Sequence, residues 1–214
     1  MPFDFKKEYK ELYSPKPIPS FVDVPAMTFI MIDGEGDPNT SKAYQNAVAT
    51  LYGLSYSIKM SKKSVNPPEG YFDFVVPPLE GLWQNYVTDK NSFQWTSMIR
   101  QPEFVTQIVF EQAKETLAKK KPNLDLSLAR LEVFTEGLCA QITHIGSYDD
   151  EPSTIAALDG FIRDSAYKLN FTEEYCHHEI YLADPRKTVP EKLRTIIRHP
   201  VKVGIENTKL PLGV

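Results

Sequence analysis

Apolar residues along the chain alternate between two rhythms. Met27 to Ile32 is a compact run of strand-forming residues. Past Ser41, a residue suited to cap a helix, Ala47, Val48, Leu51, Leu54 and Ile58 recur at helical spacing and define one face. A strand is predicted over 71–76, broken by Pro77-Pro78, and a hairpin over 82–100. Val105, Ile108, Val109 and Leu117 restore the helical period over 104–119, and Pro122 ends it. The same rhythms then return, with strands over 131–136 and 138–145, a turn at Gly146 and a helix over 152–169 carrying Ile155, Leu158, Ile162 and Leu169 inward. A strand over 175–182 follows, then a short helix from Pro190, where proline suits a first helical turn. Pro2, Pro15, Pro17 and Pro19 precede Pro25, so residues 1–25 read as an extended arm with one short helical turn.

The order of these elements suggests an internal repeat. Gly34 aligns with Gly146 and Asp37 with Asp149, each pair in a strand, glycine turn and helix. The strand after each helix carries a lone carboxylate, Asp73 or Glu179, and the same offset pairs Tyr71 with His177 and Val75 with Tyr181. The expected fold is α+β: a repeated strand-helix-strand unit pairing into one mainly antiparallel sheet, with its helices on one face. The arm at 1–25 would lead into a single domain at 26–204, made of pseudo-repeats at about 26–121 and 130–204, with a tail at 205–214. Side chains alternate faces along a strand. Phe72, Phe74 and Val76 would therefore pack on the helices together with His178, Ile180 and Leu182. Tyr71, Asp73, Val75, His177, Glu179 and Tyr181 fall on the opposite face, which is either open to water or lines a cavity.

Composition narrows the chemistry. The 214 residues are 42% hydrophobic and 24% charged, an ordinary globular balance. Net charge is −4, and the largest basic run, Lys119-Lys120-Lys121, sits at a predicted helix end where cations favour the dipole. Binding to nucleic acid by this chain alone is not expected. No apolar run is long enough for a membrane span, and the N-terminus lacks the apolar stretch of a secretory signal, so a cytoplasmic location is expected. The two cysteines, Cys139 and Cys176, suit neither a four-cysteine zinc site nor a disulfide framework. His177 and His178 are adjacent on a strand and point to opposite faces, which argues against one metal ion between them. Gly34 and Gly36 lack the rest of any nucleotide fingerprint, no nucleophile triad stands out, and no cofactor is expected.

Several segments together are similar to the GyrI-like family of small-molecule-binding domains. They include Asp33-Gly34-Glu35-Gly36-Asp37-Pro38-Asn39, Pro78-Leu79-Glu80-Gly81-Leu82-Trp83, His144-Ile145-Gly146-Ser147-Tyr148-Asp149-Asp150-Glu151-Pro152 and His178-Glu179-Ile180-Tyr181-Leu182-Ala183-Asp184-Pro185-Arg186. The resemblance implies a duplicated strand-helix-strand-strand module with a ligand cavity at its pseudo-symmetric interface, and binding of flat, apolar, often cationic compounds. Family regulators join this domain to a DNA-binding part, which is not recognised here. Some standalone relatives hydrolyse cyclopropane-bearing DNA-alkylating natural products.

Glu179 matches the family's pocket glutamate. A carboxylate among aromatics loses hydration, and could pair with a cationic ligand or deprotonate a water. Glu80 and Trp83 follow the prolines at a bend where pocket rims form. Trp83 and Trp95 could stack on a planar ligand, and Tyr56, Tyr71, Tyr148 and Tyr181 could add rings and hydroxyl donors. Should the chain be an enzyme, Glu179 and Tyr71 would carry catalysis. Sequestration or sensing of a hydrophobic or cationic aromatic molecule and hydrolysis of a strained ring both remain open, as does the oligomeric state.

Overall fold

The computed structural model describes residues 1–64, 66–84, 93–172 and 176–204. Two one-turn helices, α1 (Phe5–Glu8) and α2 (Lys10–Tyr13), lead into strands β1 (Ser20–Val24) and β2 (Met27–Glu35). Helix α3 (Lys42–Met60) follows, then β3 (Leu79–Gln84), β4 (Gln94–Arg100) and helix α4 (Gln107–Lys120). The second half runs β5 (Arg130–Phe134), β6 (Gly137–Ile145), α5 (Glu151–Arg163), β7 (Tyr167–Leu169), β8 (His177–Tyr181) and β9 (Arg194–Val203). Helix α3 starts where expected: the Ser41 hydroxyl accepts from the Tyr44 N–H at 3.4 Å, taking up one amide that the first turn leaves free.

The described strands form one antiparallel sheet in the order β1-β6-β9-β8-β3-β4-β2-β5, with β7 on β9. This order is the same from either end if β1 is matched with β5, β6 with β2, β9 with β4 and β8 with β3. An approximate two-fold axis therefore passes between β3 and β8. The leading strands are exchanged: β1 pairs with β6 of the second half, and β5 with β2 of the first. Register makes the correspondence specific. Phe29–Arg100 in the first half matches Cys139–Pro200 in the second, and Glu35–Gln94 matches Ile145–Arg194. Gly36 and Gly146 then correspond, both at positive φ (96° and 143°), a conformation glycine adopts without steric cost.

This register corrects the alignment read from the sequence. Gly36, not Gly34, is the counterpart of Gly146. Gly34 instead lies cross-strand from Trp95, and any Cβ there would run into the indole ring. The counterpart of Glu179 is Gly81, its cross-strand partner at the axis, rather than Asp73. Residues 71–76 form no regular strand; Phe74 makes one parallel bridge to Phe3 of the arm. Helix α5 stops at Arg163, and Leu169 belongs to β7. The Pro190 segment is a single 3-10 turn, Pro190–Lys192. Strands β1 and β9 were not anticipated. Residues 85–92 of the predicted hairpin, Tyr175 and the tail at 205–214 lie outside the described residues.

Helices α3 and α5 lie on one face of the sheet. Leu158 and Ile162 of α5 pack on Ala140, Ile142 and Ile197, while Tyr44 of α3 packs on Trp83 and Trp95. Helix α4 packs outside α3. The other face is covered by the N-terminal segment. Arg100 lies under the rings of Phe5 and Tyr9, Thr143 donates to the Pro15 carbonyl, and Gln141 donates to that of Glu11. Beneath the segment runs a buried polar network. Tyr13 donates to Glu80 (3.1 Å), His178 bridges Glu80 and Glu136 (3.1 and 3.0 Å), and Arg198 joins Glu136 to the Leu12 carbonyl. Among the described residues no helix is long and apolar enough to cross a membrane.

Candidate functional site

Helices α3 and α5 leave a gap above the central β3–β8 pair. The gap is a cavity of about 1800 Å³. Its floor carries Trp83, His177, Glu179 and Tyr181, and its walls carry Tyr44, Tyr52 and Tyr56 of α3 with Tyr148, Glu151 and Ile155 at the start of α5. Strand parity selects the floor. Residues 79, 81 and 83 share a face with 177, 179 and 181 because the antiparallel register sets Gly81 opposite Glu179 and Trp83 opposite His177.

Every polar atom of the Glu179 carboxylate is engaged. Tyr181 donates to Oε2 at 2.6 Å, and Trp83 Nε1 donates to the Tyr181 hydroxyl at 3.0 Å. His177 Nε2 lies 3.0 Å from Oε1. Gly81 makes this arrangement fit, because a Cβ there would stand 2.8 Å from Trp83 Nε1 and 3.3 Å from the Tyr181 hydroxyl. Beyond His177 the contacts continue outward: its Nδ1 lies 2.8 Å from His199 Nε2, and His199 Nδ1 lies 3.0 Å from Asp159 on α5.

Two glutamates on this floor titrate in opposite directions. Burial would raise Glu179, but hydrogen bonds from His177, its charge, and bonds from Tyr181 and Glu151 outweigh that and hold it below the usual carboxylate range. Burial pushes Glu151 up to about 9, reinforced by the neighbouring charge of Glu179. Oε1 of Glu151 is buried without any hydrogen-bond donor, as suits a neutral acid rather than a carboxylate. Two carboxyl groups in contact bond only when one keeps a proton, and here Glu151 keeps it. Burial and the charge of Glu179 also raise Tyr148, to about 12, and Tyr44 and Tyr181 further, so all three phenols stay protonated donors.

The residues singled out from sequence divide. Tyr56, Trp83, Tyr148, Glu179 and Tyr181 line the cavity. Trp95 lies on the same face but is buried behind Tyr44, ring centroids 5.1 Å apart. Glu80 is on the opposite face, sealed beneath the N-terminal segment. Tyr71 is remote from the floor: it donates to the Lys59 carbonyl at 2.7 Å and packs on Phe104. Asp73 is tied to Lys62 and Lys59, whose hydrogen bonds hold it down at about 2. The parity grouping of His177, Glu179 and Tyr181 holds, but their face is the one that carries the helices. Period two fixes which residues share a face without saying which cover that face receives. His178 and Ile180 turn toward the N-terminal side instead, with Leu82 opposite His178, while Leu182 lines the cavity.

Sequence reasoning missed Glu151, Tyr44 and Asp159, and weighed His177 only as a metal ligand. Glu151 carried one local signal, a carboxylate in a helix's first turn beside Pro152, which reads as ordinary dipole compensation. No group of three or more histidine, cysteine or acidic side chains among the described residues could hold a metal ion.

The model of the GyrI-like small molecule binding domain matches residues 18–202. The chain belongs to the GyrI-like family. A hydrolase from Listeria innocua is 46% identical to it, covering 94% of this chain and 100% of that one, with a TM-score of 0.88. An uncharacterized conserved protein from Listeria innocua gives the same identity and coverage and a TM-score of 0.89. The EcmrR C-terminal domain shares the fold at 11% identity and a TM-score of 0.55, over 87% of this chain and 98% of that one. No curated protein matches the chain. A GyrI-like domain binds small molecules, and the cavity between α3 and α5 is where this chain has room for one.

Proposed function

We propose that this GyrI-like chain binds a planar, largely apolar small molecule in the cleft and hydrolyses it at a strained, electrophilic carbon, with Glu179 as base and Glu151 as acid. One observation carries the reading: two buried carboxyl groups, Glu179 and Glu151, meet in the cavity, in surroundings that push their titration in opposite directions. Environments that push paired titratable groups apart are the arrangement general acid–base chemistry needs. Sequestration alone would need only aromatic walls.

A cyclopropane conjugated to a carbonyl is the substrate class that best fits both groups and the family resemblance. Water attacks the ring CH₂ while Glu179 takes its proton. The ring C–C bond breaks as the C–O bond forms, and its electron pair runs to the carbonyl oxygen, which takes the proton of Glu151. The step leaves Glu179 protonated and Glu151 ionised. One proton passing between the touching carboxyls restores both. Trp83, Tyr44, Tyr148 and Tyr181 would hold the flat ring system, and the Tyr148 hydroxyl can donate to its oxygens. The Listeria relative described as a hydrolase supports the same class of activity.

The test is to incubate the purified protein with a cyclopropane-bearing alkylator and follow the mass of the product. A gain of one water that Glu179→Gln slows by about a hundred- to ten-thousand-fold is expected. Tight binding with the compound returned unchanged would overturn hydrolysis and leave ligand sequestration standing.

A further inference from the structure

The segment His144-Ile145-Gly146-Ser147 joins β6 to the turn that carries Tyr148 and Glu151, and its histidine takes no part in the proposed reaction. His144 is buried on the face of β6 that meets α5, opposite Thr195 of β9, which in turn lies opposite Tyr181 of β8. Its ring is held at both nitrogens. Nε2 lies 2.9 Å from the Ser147 carbonyl oxygen. A carbonyl only accepts, so Nε2 carries a proton and donates. Nδ1 lies 2.8 Å from the Thr154 hydroxyl, on the first turn of α5. The imidazole thus bridges two points on either side of Tyr148 and Glu151. Gly146 brings the chain close to it: a Cβ there would stand 3.3 Å from Nε2, and its φ of 143° suits glycine.

The first half of the fold is tied together differently. By the register, Gly34 stands where His144 does, Trp95 where Thr195 does, and Trp83 where Tyr181 does. Tyr44 follows Gly36 at the same interval as Thr154 follows Gly146. The Trp95 ring lies over Gly34 and meets the Tyr44 ring at a centroid distance of 5.1 Å, so apolar packing joins α3 to the sheet. In the second half, hydrogen bonds at His144 join α5 to the sheet instead. Ser41, at the place of Glu151, spends its hydroxyl on capping α3, whereas the side chain of Glu151 lines the cavity.

We propose that His144 is a positioning residue: by holding Ser147 and Thr154 it fixes the turn that sets Tyr148 and Glu151 over Glu179, so that the second half supplies the proton-donating end of the cleft and the first half its apolar wall. The catalytic consequence rests on the hydrolytic reading; the mechanical one does not. Glu151 is faced by Glu179 of β8, the Thr195 hydroxyl of β9 and Asp149 of its own turn, and burial leads the effects that push its carboxyl up to about 9. A turn released from His144 lets that carboxyl swing toward water, where it ionises at a lower pH.

Carbon-13 NMR of the glutamate carboxyls in the resting protein, followed against pH, tests the mechanical claim without any substrate. Thr154→Val keeps the shape of the side chain and removes its hydroxyl, and His144→Leu fills the ring's place without polar atoms. Each should lower the pH at which Glu151 ionises by about 1 unit, while Thr154→Ser, which keeps the hydroxyl, should hold it within ~0.3 unit of the wild type. Should His144→Leu fail to fold, Thr154→Val carries the test alone. Variants that lose thermal stability while Glu151 ionises where it does in the wild type would mark His144 as merely structural and overturn the proposal. So would a wild-type Glu151 that ionises in the ordinary carboxylate range. In the ring-opening assay, Thr154→Val and His144→Leu should lower kcat about tenfold and leave KM within about twofold, and Thr154→Ser should recover most of the rate. A loss carried by KM alone counts against the proposal. A downward shift of Glu151 in variants of a protein that opens no cyclopropane would overturn the hydrolase reading while leaving this one intact.

Discussion

Replacing Glu151 with glutamine separates the cost of holding a buried acid protonated from everything else the residue does. Glu151 is pushed from 4.5 up to about 9 by burial, and then by the neighbouring Glu179. In the unfolded chain the same side chain ionises at its ordinary value. Folding therefore retains a proton that the unfolded state releases, and stability falls as pH rises from about 4.5 toward about 9. At pH 7 the gap from the ordinary value is about 2.5 pH units, which at ~1.4 kcal/mol per unit sets an upper bound of about 3 kcal/mol. Glutamine is neutral at every pH and close in shape, so Glu151→Gln avoids this loss. For a chain of 214 residues the gain corresponds to roughly 6 to 12 °C in Tm. Thermal unfolding of both proteins across pH 4 to 9 measures it. The two curves should meet near pH 4 and diverge steadily above it, the variant being the more stable. A Tm difference independent of pH, or a variant less stable at pH 8, would falsify the assignment of Glu151 as a neutral acid. In the proposed reaction the same variant should lose the proton donor, slowing ring opening by tenfold or more while ligand affinity stays within about threefold.

Further outcomes follow from the same geometry. Gly81→Ala places a methyl against Trp83 Nε1 and the Tyr181 hydroxyl, and should weaken binding of a planar ligand at least tenfold by calorimetry, with the protein still folded. Tyr71→Phe removes a bond to the Lys59 carbonyl and a contact with Asp73, both away from the cavity floor, so turnover and affinity should both stay within twofold, whereas a large loss of turnover would restore Tyr71 to the mechanism. His178, lowered by burial but raised overall to about 9 by Glu136 and Glu80, adds stability that is complete below about 6.5 and lost as pH rises through about 9. In the Glu151→Gln background the remaining fall in Tm between pH 6.5 and 9.5 should disappear on His178→Gln. Tyr13→Phe deletes the bond that ties the N-terminal segment to Glu80, and should lower stability by about 1 to 2 kcal/mol in urea unfolding.

The sequence by itself determined the elements whose own residues dictate them. Helix α3 follows from its Ser41 cap and the apolar face of Ala47, Leu51, Leu54 and Ile58, all buried as the period requires. Strands β2 and β6 follow from runs of branched and long apolar residues, and the two histidines of β8 point apart because a strand alternates. The parity of β8 was enough to group His177, Glu179 and Tyr181. Other features needed a partner distant in the chain. Strand β9 carries Arg198, His199 and Pro200 in its middle, which locally reads as a loop. It is a strand because Glu136 neutralises Arg198, the Gln141 side-chain oxygen accepts from it, and Asp159 and His177 receive His199. The chosen face of Glu179 depended on where α3, α5 and the N-terminal segment came to rest, since alternation is blind to what covers each side. The pairing of Gly81 with Glu179 depended on sheet register, which set it apart from the carboxylate at Asp73. Glu151 looks in sequence like a solvated acid opening a helix. Only the packing of α5 on the sheet buried it against Glu179, where burial and the neighbouring charge push one carboxyl up and hydrogen bonds hold the other down.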